Sequence, residues 1–347
     1  MILSLCRVVV RQRTSVTILP ALVIVAVLAL GAIDVHAQLR TVTSSAPSAS
    51  LTKTAMPAQR STDVGPVDVS MAPVVAPIVA PSVALIGAPI VAHSRDLSVL
   101  AAAVQQSIAS SGGSVGVSLI ELGGSDPVVW SVNASDVFTA ASTYKLAALM
   151  LEAQNIAAGT TDPNGLVCFQ ADDYEYGWFD DYSDGACYTR NELAVRAGMY
   201  SDNTAGHMLV RDVGGADALN AWAASIGATN SAFEVGNTTT AADLATLWLA
   251  EAQGRIGGAA AQAWLYPLLT DTRTESGVPA GVSDGAVVVH KTGTIDQVVN
   301  DAALVTSGPH GSYVVVVMTD GLGGDAGWQL IATISAEVWK FEVARSQ

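Results

Sequence analysis

Basic residues are scarce in this sequence. Its 347 residues include 16 lysines and arginines against 31 aspartates and glutamates, which gives a formal net charge of −15. The acids are spread along the chain and are not confined to a tail, so a phosphate backbone would be repelled over most of the surface. The composition therefore argues against a nucleic-acid partner.

Lysine is rarer still. Between positions 96 and 347 the lysines are Lys145, Lys291 and Lys340, in a segment with 28 acids and nine basic residues. A solvated surface position is the usual explanation for a lysine. Because this segment seldom uses lysine on its surface, a lysine inside a short motif is a candidate for a chemical role.

The N-terminal segment has the features of an export signal. Three arginines within the first 13 residues precede an apolar run at 16–33, and "VHA" at 35–37 has the small-residue pattern of a cleavage site. We expect a signal peptide over residues 1–37. The alternative is an uncleaved membrane tether through 16–33, because about 18 apolar residues just span a bilayer. Either reading predicts an exported protein that is periplasmic, extracellular or anchored to the outer face of the membrane.

Cysteine is almost absent. Cys6 lies in the N-terminal segment, and Cys168 and Cys187 follow much later. No C-x-x-C pair occurs, so neither a zinc site nor a dithiol redox motif has support. In an exported protein the later pair predicts a disulfide, with two unpaired thiols as the alternative.

Composition divides the remaining chain in two. Residues 38–95 are rich in Ala, Pro, Ser and Val, and the recurrent prolines of "APVVAPIVAPSVA" favour an extended linker. From 96 to 347 the pattern runs helix, two strands, helical block, three strands and a final helix near 325–344. This order predicts a three-layer α+β fold: a five-stranded, mainly antiparallel sheet, terminal helices on one face, and an inserted all-helical subdomain. We expect a monomer with a cleft between sheet and insertion.

Three short motifs follow one another in this segment. S-x-x-K occupies 142–145 at a helix start, SDN occupies 201–203 between two helices, and KTG occupies 291–293 at the end of a strand. Each is weak alone, since a serine N-cap followed by a surface lysine is commonplace. In this order, and on these elements, residues 96–347 resemble the penicillin-recognising serine hydrolases, and most closely the class A β-lactamases.

The chemistry explains why these residue types are needed for acylation. A serine hydroxyl is a poor nucleophile unless a base takes its proton. Ser142 and Lys145 share one helix face, and a lysine desolvated beside a second cation, Lys291, can act as that base. We expect Ser201 to lie between the two lysines and the leaving nitrogen and to relay a proton.

The remaining motif residues are candidates for substrate binding. Asn203 would bond the substrate's side-chain amide, while Lys291 and Thr292 would hold a substrate carboxylate. Gly293 would let the strand approach the substrate closely. The resemblance implies an oxyanion hole formed by the backbone N–H groups of Ser142 and Thr294. It implies no cofactor and no metal.

Two neighbouring residues are given structural roles. The resemblance implies that Asp202 organises the turn of its motif. His290 directly precedes the KTG motif, and we interpret it as a buried strand residue.

The resemblance to class A β-lactamases does not extend to the residues that carry out deacylation. Class A enzymes activate water with a glutamate in an E-x-x-L-N loop, which the interval 204–237 does not contain. Its only glutamate, Glu234, is a weak candidate for that base, and a carboxylate on the cleft rim is the simpler interpretation. The first hypothesis is a β-lactamase-like hydrolase. The alternatives are a D,D-peptidase or esterase acting on a peptidoglycan-like acyl substrate, and a catalytically weak cell-wall-binding protein.

The stretch "CFQADDYEYGWFDDYSDGAC", residues 168–187, is the second unusual feature. Its acids and aromatics could stack on sugars or select a cationic substrate, or they could form a disulfide-held cap with a solvated outer face. The segment "DDYSDG" does not fit a calcium-binding EF-hand loop, because the third and twelfth positions are Tyr182 and Asn191.

Overall fold

A single antiparallel sheet organises the part of the chain that the structure describes. The computed structural model describes residues 94–346 except Ser125, so the predicted signal segment and nearly all of the predicted linker lie outside it. The sheet strands are β1 Ser114–Glu121, β2 Val129–Val132, β7 Val288–Ile295, β8 Val298–Val305 and β9 Tyr313–Asp320. They lie in the order β2–β1–β9–β8–β7, and every neighbouring pair is antiparallel. The predicted five-stranded sheet is confirmed.

The terminal helices cover one face of this sheet. They are α1 Ser94–Ser111 and α8 Asp325–Arg345, and their apolar side chains form one cluster with Val315 and Val317 of β9. The alternate residues Val314 and Val316 join the cluster on the other face. Because both faces are covered, β9 reads as a continuous apolar run with no polar alternation.

The inserted helices cover the opposite face. At their centre lies α2 Tyr144–Ala157, whose residues 144–153 are all buried. Apart from Lys145 and Glu152 these residues are apolar, as expected for a helix that is enclosed on every side. Around it lie α3 Arg190–Gly198, α4 Asn203–Asp212, α5 Gly215–Ile226, α6 Ala241–Ala252 and α7 Gly258–Leu265. Within residues 94–346 no helix is long and apolar enough to cross a bilayer.

Two short antiparallel strand pairs lie outside the central sheet. Strand β3 Phe138–Thr139 pairs with β6 Thr238–Thr239, and β4 Leu166–Cys168 pairs with β5 Cys187–Thr189. One strand boundary differs from the sequence-based prediction, since β7 continues two residues past the KTG motif to Ile295. KTG therefore lies inside a strand, and the tight pairing of β7 with β8 explains the extension.

The structure contains the predicted disulfide. Cys168 and Cys187 are directly opposite each other in the β4–β5 pair and are covalently bonded. The bond closes residues 168–187 into one loop, called the 168–187 loop below.

Removal of this disulfide should destabilise the fold. For a loop of about 20 residues, the chain-entropy model gives about 3 kcal/mol. We expect the double variant Cys168→Ser/Cys187→Ser to lose about that much free energy of unfolding in urea titrations. Reductant should reproduce the loss in the wild type and should have no effect on the double variant. Equal stability of oxidised and reduced wild type would contradict the prediction.

Candidate active site

Ser142 lies in a strained turn at the start of α2. The turn is a single 3-10 turn in which Ala141 has a φ of +48°, a left-handed conformation that costs a non-glycine residue about 1–2 kcal/mol. Asn300 of β8 offsets this cost, because its Nδ2 donates to the carbonyl oxygens of Thr139 and Ala140 at 2.9 and 3.2 Å. The central sheet thus fixes the turn that carries the predicted nucleophile.

Gly293 allows that close approach of sheet and turn. A Cβ placed on it would lie 2.7 Å from Ala140 O, 2.9 Å from Thr143 N and 3.0 Å from Ser142 N. The sequence-based prediction assigned this glycine to contact with substrate. The structure supplies another reason for it: β7 packs against the nucleophile turn, where any side chain would collide.

Lys145 is completely buried next to Ser142. Its Nζ lies 2.9 Å from Ser142 Oγ, and it donates to Ser201 O and to Asn203 Oδ1, each at 2.7 Å. Burial, and then the charge of Lys291, hold the pKa of Lys145 well below its ordinary value. A neutral amine has two N–H groups and one lone pair. In that form the two oxygens can accept its N–H groups, and its lone pair can accept from the Ser142 hydroxyl.

The orientation of the Asn203 amide is fixed by its other contacts. Its Nδ2 donates to Glu175 Oε1 at 2.9 Å and to Tyr176 O at 3.0 Å. Both acceptors lie in the 168–187 loop, and neither could accept from an amide oxygen. Asn203 Oδ1 must therefore face Lys145.

Lys291 and Ser201 form the second half of the cluster. Lys291 Nζ donates to Ser201 Oγ at 2.8 Å and to Thr292 O at 2.9 Å. Burial lowers the pKa of Lys291 to about 7, although the Asp301 carboxylate opposes this shift. Ser201 adopts a φ of +60°, so that its carbonyl reaches Lys145 while its hydroxyl reaches Lys291. Thr292 is buried beside it, and Thr294 follows on the exposed end of β7.

Asp202 fixes the backbone between Ser201 and Asn203. It is the N-cap of α4, with Oδ1 accepting from Ala205 N at 2.9 Å, and it also accepts from Trp178 N at 2.8 Å and from the Tyr182 hydroxyl at 2.7 Å. These contacts agree with the structural role predicted for Asp202, and they tie the SDN motif to the 168–187 loop.

Arg196 anchors the inner side of the 168–187 loop. Its guanidinium lies over the rings of Phe179 and Tyr188, at 4.3 and 4.5 Å from their centroids, and pairs with both carboxylate oxygens of Asp181. Tyr174, Tyr176 and Trp178 of the same loop are exposed. The loop is therefore a packed cap with a solvated aromatic edge.

Glu234 is bound to a histidine. It lies in the turn before β6 with a φ of +65°, and its Oε1 is 2.7 Å from Nδ1 of His207 on α4. His207 Nε2 is in turn 2.7 Å from Glu175 Oε2. In the described part of the chain Glu234 makes no hydrogen bond to Ser142 or Lys145. Its predicted role as the deacylating base stays a prediction.

His290 is buried in β7, as predicted. Its Nδ1 lies 2.9 Å from Asp301 Oδ1 and its Nε2 lies 3.0 Å from Glu275 Oε1. These carboxylates outweigh burial and raise the pKa of His290 to about 9. Among residues 94–346, apart from Ser125, no group of three or more potential ligands is arranged to hold a metal ion.

Three contributors to this site were missed at the sequence level. Asn300 fixes the nucleophile turn, Glu175 accepts from the Asn203 amide, and His207 contacts Glu175. A fourth is Gly206, where a Cβ would lie 2.6 Å from Lys145 Cε. Of these residues, only Gly206 could have been recognised in the sequence. Glycine has a low helix propensity, so a glycine inside a predicted helix indicates a position where close packing leaves no room for a side chain.

Comparisons with known proteins agree with this geometry. The model of the family described as "Beta-lactamase enzyme family" matches residues 99–341. Beta-lactamase CTX-M-8 of Citrobacter amalonaticus is 28% identical over 257 residues, which cover 69% of this chain and 85% of that protein.

Solved structures show the same relationship. PBP-A is similar with a TM-score of 0.65 and 29% sequence identity, covering 70% of this chain and 96% of that chain. A mutant of PBP-A, solved as an acyl-enzyme complex with penicillin G, has a TM-score of 0.64, 29% identity and the same coverage. This chain belongs to the beta-lactamase enzyme family, within the penicillin-recognising serine enzymes, and it is a serine hydrolase of the β-lactamase type.

Proposed function

We propose that the protein opens β-lactam rings through an acyl-enzyme on Ser142. The observation that carries the proposal is the position of Lys145 Nζ, which lies 2.9 Å from Ser142 Oγ and is also bonded to Ser201 O and Asn203 Oδ1. As a neutral amine it can donate its two N–H groups to those two oxygens and accept the proton of Ser142. A base so placed within hydrogen-bond distance is what an unactivated serine requires.

The acylation step follows from the contacts. Ser142 Oγ attacks the ring carbonyl carbon, and its proton passes to Lys145 Nζ. The ring C–N bond then breaks, and the leaving nitrogen takes the proton of Ser201 Oγ. Lys291 Nζ, 2.8 Å from that oxygen, resupplies it. The backbone N–H groups of Ser142 and Thr294 are the proposed donors to the oxyanion.

Deacylation is the slower half of the proposed reaction. It needs a base that takes a proton from water as the water attacks the ester carbonyl. The sequence has no E-x-x-L-N loop between 204 and 237, and Glu234 is engaged by His207. A D,D-peptidase or esterase that β-lactams acylate durably is therefore the second candidate function. The likeness to PBP-A, a mutant of which was solved as an acyl-enzyme complex with penicillin G, supports the durable adduct.

We further propose that the protein acts outside the cytoplasm. The arginine-flanked apolar run and the "VHA" site support this location, and a disulfide-closed loop at the site is compatible with an oxidising compartment.

Intact mass spectrometry tests the acyl-enzyme. After benzylpenicillin is added, the wild type should gain the mass of one penicillin, and the adduct should decay slowly while hydrolysed drug accumulates. Ser142→Ala should gain nothing. Ser225→Ala, which removes an exposed serine hydroxyl on α5, should behave as wild type. An adduct on Ser142→Ala would remove Ser142 from the mechanism, and a permanent wild-type adduct would favour the peptidase.

The pH profile tests Lys291. Its pKa of about 7 means that the free enzyme loses the Lys291 charge as pH rises above 7. The second-order acylation rate constant for benzylpenicillin should then fall about tenfold per pH unit, because its carboxylate loses its partner. The methyl ester of benzylpenicillin has no carboxylate, so its rate constant should fall less, because deprotonation of Lys291 then removes only the proton that Lys291 returns to Ser201. The same profile for both compounds would exclude Lys291 as the carboxylate receptor.

Mass analysis of the protein from its native host tests export. If the signal peptide is removed, the mature chain recovered outside the cytoplasm should begin at Gln38. A full-length chain in the membrane fraction would instead support the uncleaved tether, and a full-length cytoplasmic chain would contradict export.

A further inference from the structure

His290 lies on the reverse face of the strand that carries Lys291. In the pairing of β7 with β8, Lys291 is opposite Ala302 and His290 is opposite Ala303. Ala302 belongs to the apolar cluster under the inserted helices, whereas Ala303 belongs to the cluster under the terminal helices. Because neighbouring strand residues point to opposite faces of a sheet, His290 is directed away from the cleft. The proposed acylation gives this buried histidine no part.

The imidazole of His290 is held between two carboxylates. Its Nδ1 lies 2.9 and 3.1 Å from the two oxygens of Asp301, and its Nε2 lies 3.0 Å from Glu275 Oε1. The first carboxylate comes from β8 and the second from the segment that precedes β7. His290 and Asp301 are completely buried, whereas the side chain of Glu275 is 40% exposed. With a carboxylate at each nitrogen the ring is an imidazolium, in agreement with its pKa of about 9.

Asp301 depends on that imidazolium for its charge. Besides His290, its carboxylate accepts from the backbone N–H of Val278 at 2.8 Å. Gly277 packs so closely against it that a Cβ on this glycine would collide with a carboxylate oxygen. A carboxylate that has neither water nor a cationic partner is unstable in its ionised form and takes up a proton instead. Loss of the imidazolium should therefore also remove the charge of Asp301.

The charge of Asp301 acts on Lys291. Burial lowers the pKa of Lys291 to about 7, and the Asp301 carboxylate opposes this lowering. The acceptors of the Lys291 amine, Ser201 Oγ and Thr292 O, are uncharged, and the nearby amine of Lys145 supplies no negative charge. The ammonium that is proposed to bind the substrate carboxylate therefore relies on a carboxylate on the other face of the sheet.

We propose that His290 is a positioning residue, which keeps Asp301 ionised behind the sheet so that Lys291 remains an ammonium for the substrate carboxylate. The inference rests on the carboxylate-binding part that the proposed function gives to Lys291. Glu275 acts one step further back, because it holds the imidazolium at its other nitrogen.

Lysine NMR measures this dependence without any substrate. The sequence contains four lysines, which are Lys53, Lys145, Lys291 and Lys340. Labelling of lysine Cε with 13C therefore gives few signals, and that of Lys291 is identified by its loss in Lys291→Arg. In the wild type this signal should titrate with a midpoint near pH 7. In His290→Asn, which keeps a donor for Asp301 but no charge, the midpoint should fall by about one pH unit.

A double-mutant cycle tests the route of the effect. Asp301→Asn removes the carboxylate charge outright and should lower the Lys291 midpoint at least as much as His290→Asn does. In the Asp301→Asn background, His290→Asn should cause no further fall, because changes that act through one shared partner are not additive. A further fall of the same size would mean that His290 does not act through Asp301, and it would overturn the proposal.

Two milder variants decide the matter if the buried substitutions prevent folding. Glu275→Gln weakens the hold on the imidazolium from its exposed side, and should lower the Lys291 midpoint by about 0.3 pH unit, since a partly exposed carboxylate has a smaller effect. Asp271→Asn makes the same charge change at an exposed residue of the same segment. Its φ of +53° is one that asparagine also tolerates, and the midpoint should stay in place. Equal midpoints in the two variants would overturn the proposal.

Acylation by benzylpenicillin separates this inference from the proposed function. The alkaline decline of the acylation rate constant should move to lower pH in His290→Asn by as much as the Lys291 midpoint does. A midpoint that does not fall would overturn the positioning role and leave the acyl-enzyme standing. A midpoint that falls while the acylation profile stays in place would overturn both the positioning role and the carboxylate-binding part of Lys291. Absence of any penicillin adduct would overturn the proposed function together with this inference.

Discussion

Two lysine amines share one water-poor cleft, and the site is arranged around the electrostatic cost of that pairing. Lys145 is 0% exposed and Lys291 is 2% exposed, so two ammonium ions would be both desolvated and mutually repelled. Loss of a proton from Lys145 would relieve this cost, in agreement with the lowered pKa of its amine, and would make it the base of the proposed acylation. Ser201, which has a left-handed backbone conformation, contacts both amines. Its carbonyl oxygen accepts from Lys145, and its hydroxyl oxygen accepts from Lys291.

The two halves of the site have different structural supports. The nucleophile turn rests on the central sheet, through the side chain of Asn300 and the bare backbone of Gly293. The SDN segment rests on the 168–187 loop, through Asp202 and the aromatic rings around Arg196. A disturbance of the loop should therefore affect substrate recognition before it affects the nucleophile.

The sequence was informative wherever function restricts residue type and spacing together. The order of the three motifs, and the scarcity of lysine around them, were sufficient to select the residues that meet at Lys145. The alternation of helical and strand patterns predicted the sheet and its two covered faces. The carboxylate–imidazole contacts of His207 were not predictable, because Glu175 and Glu234 lie 32 and 27 positions away and belong to no motif. The reason for Gly293 was also hidden, since only the folded chain reveals which backbone it touches.

The scarcity of lysine has a practical consequence for handling the protein. Of the lysines in the described residues, Lys145 and Lys291 are buried, whereas the side chain of Lys340 is 68% exposed on α8. That helix covers the sheet face opposite α2. Within this part of the chain, an amine-reactive dye or resin would therefore attach at Lys340, on the side of the sheet away from the catalytic cleft. Replacement of Lys53, which precedes the described residues, would remove the only lysine between Ala37 and Lys145.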